Sequence, residues 1–492
     1  MLTTKHIIIL LAGIAAFSSC EKLVTITDPI DTIPTTQVFR DDVQASAAMA
    51  GVYSKIANGQ YGNASANEDF SAGLSTVLGG LSSDELSVRI AGAENQLLQF
   101  STNKILNQNA ISPKIWSSAY TGIYNANGVI EGIAASTSTS LTAGVRKKYT
   151  AEAKFIRAFC YFYLVNFFGD LPLVLTVDFN ETRYYSRTPV ADVYKQIIKD
   201  LKEAQADLPP DNSGPGGNRI YADKWAATAL LARVYLYTRD YENAFKEADA
   251  VIANTGKFII EPNLNTVFLK TSREAIWQFD NYTEGFSRGN ATGEGAFLIP
   301  GALDQNAPPH SEIYYPMTSE LVQAFAPSDK RLSQWVGVSP VNNTGSIQYF
   351  PFKYKIGSYN RVIGGEATEF YTPLRLAEQY LIRAEAAANG AAPLTSAIDD
   401  LNAIRFRAGL TDLPNNLSQQ DVLVAIEKER RLELFIEWGH RWFDLKRTGK
   451  AVPVLSQMFA KQPWAGDYQL LYPIPIIEIT NNRNLAPNPG YN

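Results

Sequence analysis

The chain has 492 residues, is 46% hydrophobic and 19% charged, and carries a formal net charge of −5. That length can bury one large core, or two merged ones, without help from cross-links. The mildly acidic balance, with no dense Lys/Arg cluster to neutralise a phosphate backbone, argues against nucleic acid as a partner.

Residues 1–19 have the layout of a cleavable export signal. Lys5 supplies positive charge, and Ile7 to Phe17 is an unbroken apolar and small-residue run. It is shorter than the roughly 20 apolar residues a membrane-spanning helix needs. Ser18 and Ser19 then precede Cys20, where a lipoprotein peptidase would leave a cysteine as the new N-terminus. Two or more acyl chains, at about 0.8 kcal/mol per buried CH₂, make a stable anchor. The competing readings are a secretory signal with a coincidental cysteine, or a buried apolar N-terminus. If Cys20 is lipidated, Cys160 has no disulfide partner. Its setting, AFCYFYLV, suits a small buried hydrophobe.

Residues 20–40, with Pro29, Pro34 and many Thr, read as an extended tether. Asp41 and Asp42 open a helix that runs to about Ala57. Residues 58–112 are rich in Gly, Asn and Ser and read as long loops, which in compact proteins are often functional. Helices are expected at Trp116–Ile133, at about Val145–Phe168 (stopped by Gly169-Asp170-Leu171-Pro172) and at Pro189–Leu208.

A helix pair follows at Asp223–Tyr237 and Tyr241–Ala253. Leu231, Ala232, Tyr235, Tyr241, Ala244 and Ala248 fall near tetratricopeptide spacing, with a looser echo at Leu381, Ala384, Ala388, Pro393, Ala397, Leu401 and Ile404. Between them, 255–372 is a Gly-, Pro- and aromatic-rich insertion with short strand-like pieces such as AIWQF at 275–279 and one short helix at Thr318–Phe325. Gly289, Gly293 and Gly295 lack the context of a phosphate cradle. A last helix is expected from about Ser418 to Trp442, with Glu427/Arg431 and Glu437/Arg441 as i,i+4 pairs and Phe435, Trp438 and Trp442 turned inward. Glu429, Arg430 and Arg431 read as a structural charge network. Residues 443–492 read as an irregular end.

Signatures of catalysis are missing. There is no HExxH, Cys/His metal set, Walker loop or GxSxG elbow. His440 reads as a hydrogen-bonded structural residue. Carboxylates are plentiful, but no local signature marks a glycosidase pair. The expectation is a protein that is not an enzyme, with no catalytic residue, cofactor or metal. The 25 Tyr, 24 Phe and 7 Trp suit either carbohydrate stacking or a large aromatic core.

The run ERRLELFIEWGHRWFDLKRTG (429–449) and the end YPIPIIEITNNRNLAPNPGY (472–491) resemble the closing signature of SusD/RagB-type nutrient-binding outer-membrane lipoproteins. TIPTTQVFRDDVQASAAMAGVY (32–53), AEAKFIRAFCYFYLVNFFGDLPLVL (151–175) and RLAEQYLIRAEAAA (375–388) agree with it in order. The resemblance implies a mainly α fold, SusD-like, whose tetratricopeptide-like helix pairs form a scaffold with a large loop-rich, partly β insertion. Scaffold segments would be 41–57, 113–254 and 373–442. The ligand-capturing half would be 58–112 and 255–372.

It also implies surface capture of an oligosaccharide and delivery to a SusC-like TonB-dependent outer-membrane barrel. Contact with the membrane would be through lipid on Cys20 alone, at the extracellular face. Peptide uptake of the RagB type, or a helical envelope scaffold, are the alternatives. Family members often use a Trp in the first loop region, whereas residues 58–115 here hold only Tyr61, Phe70 and Phe100 as aromatics. The candidate contacts are therefore Asp84, Arg89 and Asn95 as polar groups, and Tyr282, Phe286, Tyr314 and Trp335 as stacking surfaces. Loop bracing, local loop packing and, for Trp335, core anchoring are the competing roles.

Overall fold

From Phe155 to Phe168 every side chain except Asn166 is buried. A helix that is apolar all round belongs at the centre of a large protein, and the rest of the chain is built around it. The computed structural model describes residues 38–58, 69–88, 95–280, 288–300, 313–339 and 347–491. The signal, Cys20 and all but the last residues of the tether lie outside the described residues.

Helices of seven or more residues are numbered in chain order. The first group is α1 (Asp42–Asn58), α2 (Leu74–Ser82), α3 (Asn95–Ser101), α4 (Ser112–Ala135), α5 (Ala143–Phe168) and α6 (Val190–Asp207). The second is α7 (Lys224–Tyr237), α8 (Tyr241–Ile252), α9 (Leu376–Ala386), α10 (Leu394–Arg407), α11 (Gln419–Glu433) and α12 (His440–Arg447). The caps follow from sequence. Thr142, Asp223, Asp240 and Ser418 each accept backbone N–H groups at the start of α5, α7, α8 and α11.

Successive helices from α4 to α8 pack on one another, and α8 then packs on α9, the first helix after the insertion. The small residues that carried the sequence pattern sit in these contacts. Ala232, Ala244, Ala248, Ala384 and Ala397 are all fully buried. Buried and part-buried ion pairs stitch neighbours together. Arg157 on α5 grips Asp200 on α6 at 2.8 and 2.7 Å and donates to Asn127 on α4 at 2.8 Å. Arg233 on α7 holds both oxygens of Glu378 on α9 at 2.6 Å. Arg383 on α9 holds Asp400 on α10 at 2.9 and 2.6 Å.

The insertion leaves and rejoins this stack through one antiparallel pair, β1 (Ala275–Phe279) with β4 (Tyr371–Arg375), in register Ala275↔Arg375 and Phe279↔Tyr371. A second pair, β2 (Val336–Val338) with β3 (Tyr349–Pro351), lies within the insertion. Trp277 of β1 meets Phe155 and Phe159 of α5 at 4.8 and 5.0 Å between ring centroids, so the insertion is rooted in the central helix. Among the described residues no helix is long and apolar enough to cross a membrane.

The helix expected to run to Trp442 stops at Glu433. Ile436, Trp438 and Gly439 take positive φ values of 48°, 51° and 76°, a left-handed run that no helix continues. The turn swings the Trp438 ring flat onto Tyr371, 4.3 Å away and 16° from parallel, with its Nε1 donating to Thr372 O at 3.1 Å. The i,i+4 pairs read from an unbroken helix do not form. Glu427 instead meets Arg441 and Lys450, while Glu437 meets Lys353 and Arg375. Phe435, Trp438 and Trp442 are nonetheless all buried, as expected.

The loop-rich reading of 58–112 is also corrected. It contains α2, buried along its whole length. Its small residues allow close approach: a Cβ on Gly79 would fall 2.5 Å from the Cα of Gly439. The C-terminal segment read as irregular holds most of α12 and short helices at Ala451–Leu455 and Ile476–Asn481.

Candidate ligand-binding site

The segment that follows α2 and the insertion, far apart in sequence, meet in space. Leu86 and Met317 form an antiparallel bridge, and Ser87 N donates to Pro316 O at 2.9 Å. Thr318 Oγ1 donates to Asp84 O at 2.7 Å, and Met317 N to Tyr349 O at 2.8 Å. Glu294 joins Thr76 of α2 to Tyr371 of β4. Gly293 lies so close to Ala72 that a Cβ there would fall 2.1 Å from Ala72 O. The glycine-rich loop is thus a packing device.

Tyr314 stands on this seam with 67% of its surface exposed. The neighbouring Tyr315 is buried and packs on Phe297 at 4.8 Å. One ring fixes the segment while the next is left open to solvent. Tyr314 is the one stacking candidate that the described residues leave accessible.

Asp84 is not available to a ligand. It is buried, with Arg441 on both oxygens at 2.8 and 3.0 Å and Arg431 at 2.9 Å. Burial alone would raise its carboxyl, but Arg441 and Arg431 outweigh that and hold it below the usual carboxylate range. Trp335 is fully buried. Its Nε1 donates to Leu264 O at 2.9 Å, and the Lys353 ammonium lies 4.9 Å from its ring, so it anchors the core. Arg89, Tyr282 and Phe286 lie outside the described residues, as does the side chain of Asn95, which opens α3.

Beneath the seam lies a buried charge network. Arg375 reaches Glu274, Glu433 and Glu437 at 3.0, 2.6 and 2.8 Å. Arg331 reaches Asp329, Glu429 and Glu433 at 2.8, 2.6 and 3.1 Å. Arg407 joins Glu274 to Glu433. The charged residues Glu429, Arg430 and Arg431 belong to such structural contacts. His440 is buried with Nδ1 unpartnered, and burial beside Arg233 and Arg430 keeps it neutral. The hydrogen bond expected of it is not formed at that atom. Among the described residues no group of three or more His, Cys, Asp or Glu could hold a metal ion.

Two of the cavities along the scaffold are lined by charged or aromatic side chains. One, of about 340 Å³, lies among Arg430, Arg431, Arg441, Arg447, Glu385 and Asp444. The other, of about 810 Å³, is an open cleft between α4, the 172–184 segment and the C-terminal 478–485 segment. Sequence reading passed over its aromatic residues, although Trp116, Tyr120 and Tyr124 recur at i, i+4 and i+8 on α4 and so share one face.

Residues 40–236 match the family described as "Starch-binding associating with outer membrane", and residues 327–491 match the SusD family. The chain belongs to the SusD/RagB family. SusD-like protein P2 of Formosa agariphila is 26% identical, with 98% of both chains covered. The starch-binding protein SusD of Bacteroides thetaiotaomicron is 27% identical over 69% of this chain and 72% of that one. A solved laminarin-binding SusD-like protein superposes with a TM-score of 0.75 at 26% identity, covering 92% of this chain and 100% of its own. The SusD-type fold of this chain therefore accounts for both halves: a helical stack and a loop-rich insertion rooted in it.

Proposed function

We propose that this chain is a surface lipoprotein that captures an oligosaccharide and passes it to a SusC-like TonB-dependent barrel. The observation that carries this reading is the full-length likeness, at 26% identity, to a protein that binds laminarin. The starch-binding relative supports the same ligand class. Tyr314, exposed on the seam of the loop-rich half, suits a sugar ring's CH face, and the loop segments that border it would add polar contacts. Arg89, Asn95, Tyr282 and Phe286 remain candidates for those roles. The chain would act as a binding protein and lid, with no bond made or broken in the ligand. Lipid on Cys20 would hold it at the outer membrane, facing the medium.

The test is a glycan array on the mature chain, followed by calorimetry of each hit and product analysis by chromatography. Binding without cleavage is expected. Binding of peptides with no glycan bound would transfer the reading to RagB-type peptide uptake. Failure to co-purify with a barrel from solubilised outer membranes would favour a free-standing envelope scaffold.

A further inference from the structure

We propose that the cleft between α4 and the C-terminal segment is a second oligosaccharide-binding site, separate from the Tyr314 seam. Its walls carry exposed aromatic rings from different parts of the chain. Tyr124 on α4 is 58% exposed, Phe179 is 69% exposed and Tyr184 is 42% exposed. None of the three meets another aromatic ring among the described residues. Folding leaves the faces of Tyr124 and Phe179 open, and an aromatic face left in water is what an apolar sugar face covers.

The rings are held, not loose. Phe179 starts a one-turn helix, Phe179–Thr182, capped by Asp178, whose carboxylate accepts from Asn180 N at 2.8 Å. Asn484 Nδ2 donates to Tyr184 O, and Asn482 Nδ2 to Tyr185 O, both at 2.8 Å, so the C-terminal segment clamps the wall. The guanidinium groups of Arg183 and Arg483 lie 4.9 and 5.4 Å from the Tyr184 ring. The floor is equally fixed: Trp116 and Tyr120 touch at 4.8 Å, and Tyr120 donates to Pro172 O at 2.7 Å. Rings presented this way lose little conformational entropy when a ligand arrives.

Polar groups line the same cleft as the rings. The Asn125 Nδ2 is buried with no partner, and the half-buried Glu478 carboxylate lines the same cleft. An unmet amide donor and a carboxylate acceptor lining one cleft suit a ligand group that both donates and accepts. A sugar hydroxyl does both. The volume of about 810 Å³ falls within the roughly 300–1,000 Å³ range of small-molecule sites. A neutral oligosaccharide of a few hexose units fits that chemistry better than a peptide, whose backbone would seek a strand edge that the cleft does not offer.

The ligand class rests on the proposed function, and the experiment separates the two. Laminarihexaose and maltohexaose are titrated calorimetrically into the mature chain, with the fluorescence of Trp116 on the cleft floor as a second signal. The comparison set is Tyr124→Ala/Phe179→Ala, Phe179→Ala alone, Tyr314→Ala, and Phe459→Ala as an exposed ring outside the cleft. The cleft variants should weaken one of two binding events by about tenfold or more, leave the other unchanged, and keep the melting temperature, since both rings are exposed. Tyr314→Ala should do the converse. Hexasaccharide binding that the cleft variants leave untouched overturns the second site and leaves the proposed function standing. No binding of either hexasaccharide by the wild-type chain overturns both.

Discussion

Replacing Glu433 by Gln removes one negative charge that three guanidinium groups share. Arg375 Nη1 lies 2.6 Å from it and Arg331 Nη1 3.1 Å, with Arg407 Nη2 in contact as well. Burial opposes ionisation of Glu433, but Arg407, Arg375 and Arg331 outweigh it and hold the carboxyl far below its ordinary 4.5. Removing one partner from a buried ionic network costs about 3–5 kcal/mol, because the cations left behind stay charged and dry.

Here each arginine keeps other carboxylates: Glu274 and Glu437 for Arg375, Glu274 for Arg407, and Asp329 and Glu429 for Arg331. The lower end of the range, about 3 kcal/mol, is therefore expected. With an unfolding entropy of about 2.1 cal/mol/K per residue, a chain of this length has roughly 1 kcal/mol/K, so the melting temperature should drop by about 3 °C. Scanning calorimetry at several pH values reads it. A carboxylate with a lowered folded pKa contributes fully above its unfolded value and loses that contribution as pH falls through the folded one. The gap between wild type and variant should therefore be constant from neutral pH down to the ordinary 4.5 and narrow below it. A variant that melts with the wild type at neutral pH, or a gap that widens on acidification, would refute the reasoning.

Three further outcomes are expected. Glu85 is buried beside Asp84, and both effects push its carboxyl up to about 8. The unfolded chain releases that proton above 4.5 while the folded chain keeps it, so stability falls with rising pH across this window. Glu85→Gln should accordingly gain on the wild type between pH 5 and pH 8 in urea melts, and a pH-independent difference would count against it. Gly79→Ala should cost about 1–3 kcal/mol, because its Cβ would meet the Cα of Gly439 at 2.5 Å, backbone that cannot step aside. An unchanged melt would show the two segments to be less tightly joined. Burial pushes the Cys160 thiol up and encloses it. The Cys20→Ser chain should then give no colour with a thiol reagent until denatured, and should fold normally but no longer be retained on cells. Ready modification in the native state would contradict the described core.

The sequence by itself specified most of the long helices, because their cause is local. Caps such as Thr142, Asp223 and Ser418, stops such as Gly169, and small residues at helical spacing act within one turn or between neighbours. The strand at 275–279, the burial of Cys160 and the inward turn of Trp438 were legible for the same reason: each stretch is apolar enough to declare its fate. Tertiary structure decided what depends on partners distant in the chain. Only folding places Arg431 and Arg441 on Asp84, which turns a loop carboxylate from a candidate ligand contact into a buried brace. Only the meeting of Gly79 with Gly439 and of Trp438 with Tyr371 explains why a helical pattern breaks after Glu433. The cleft of Tyr124, Phe179 and Tyr184 exists because the C-terminal segment returns to clamp a loop some 300 residues earlier. No local pattern encodes that return, since the energy that selects it is shared between surfaces that meet only in the folded chain.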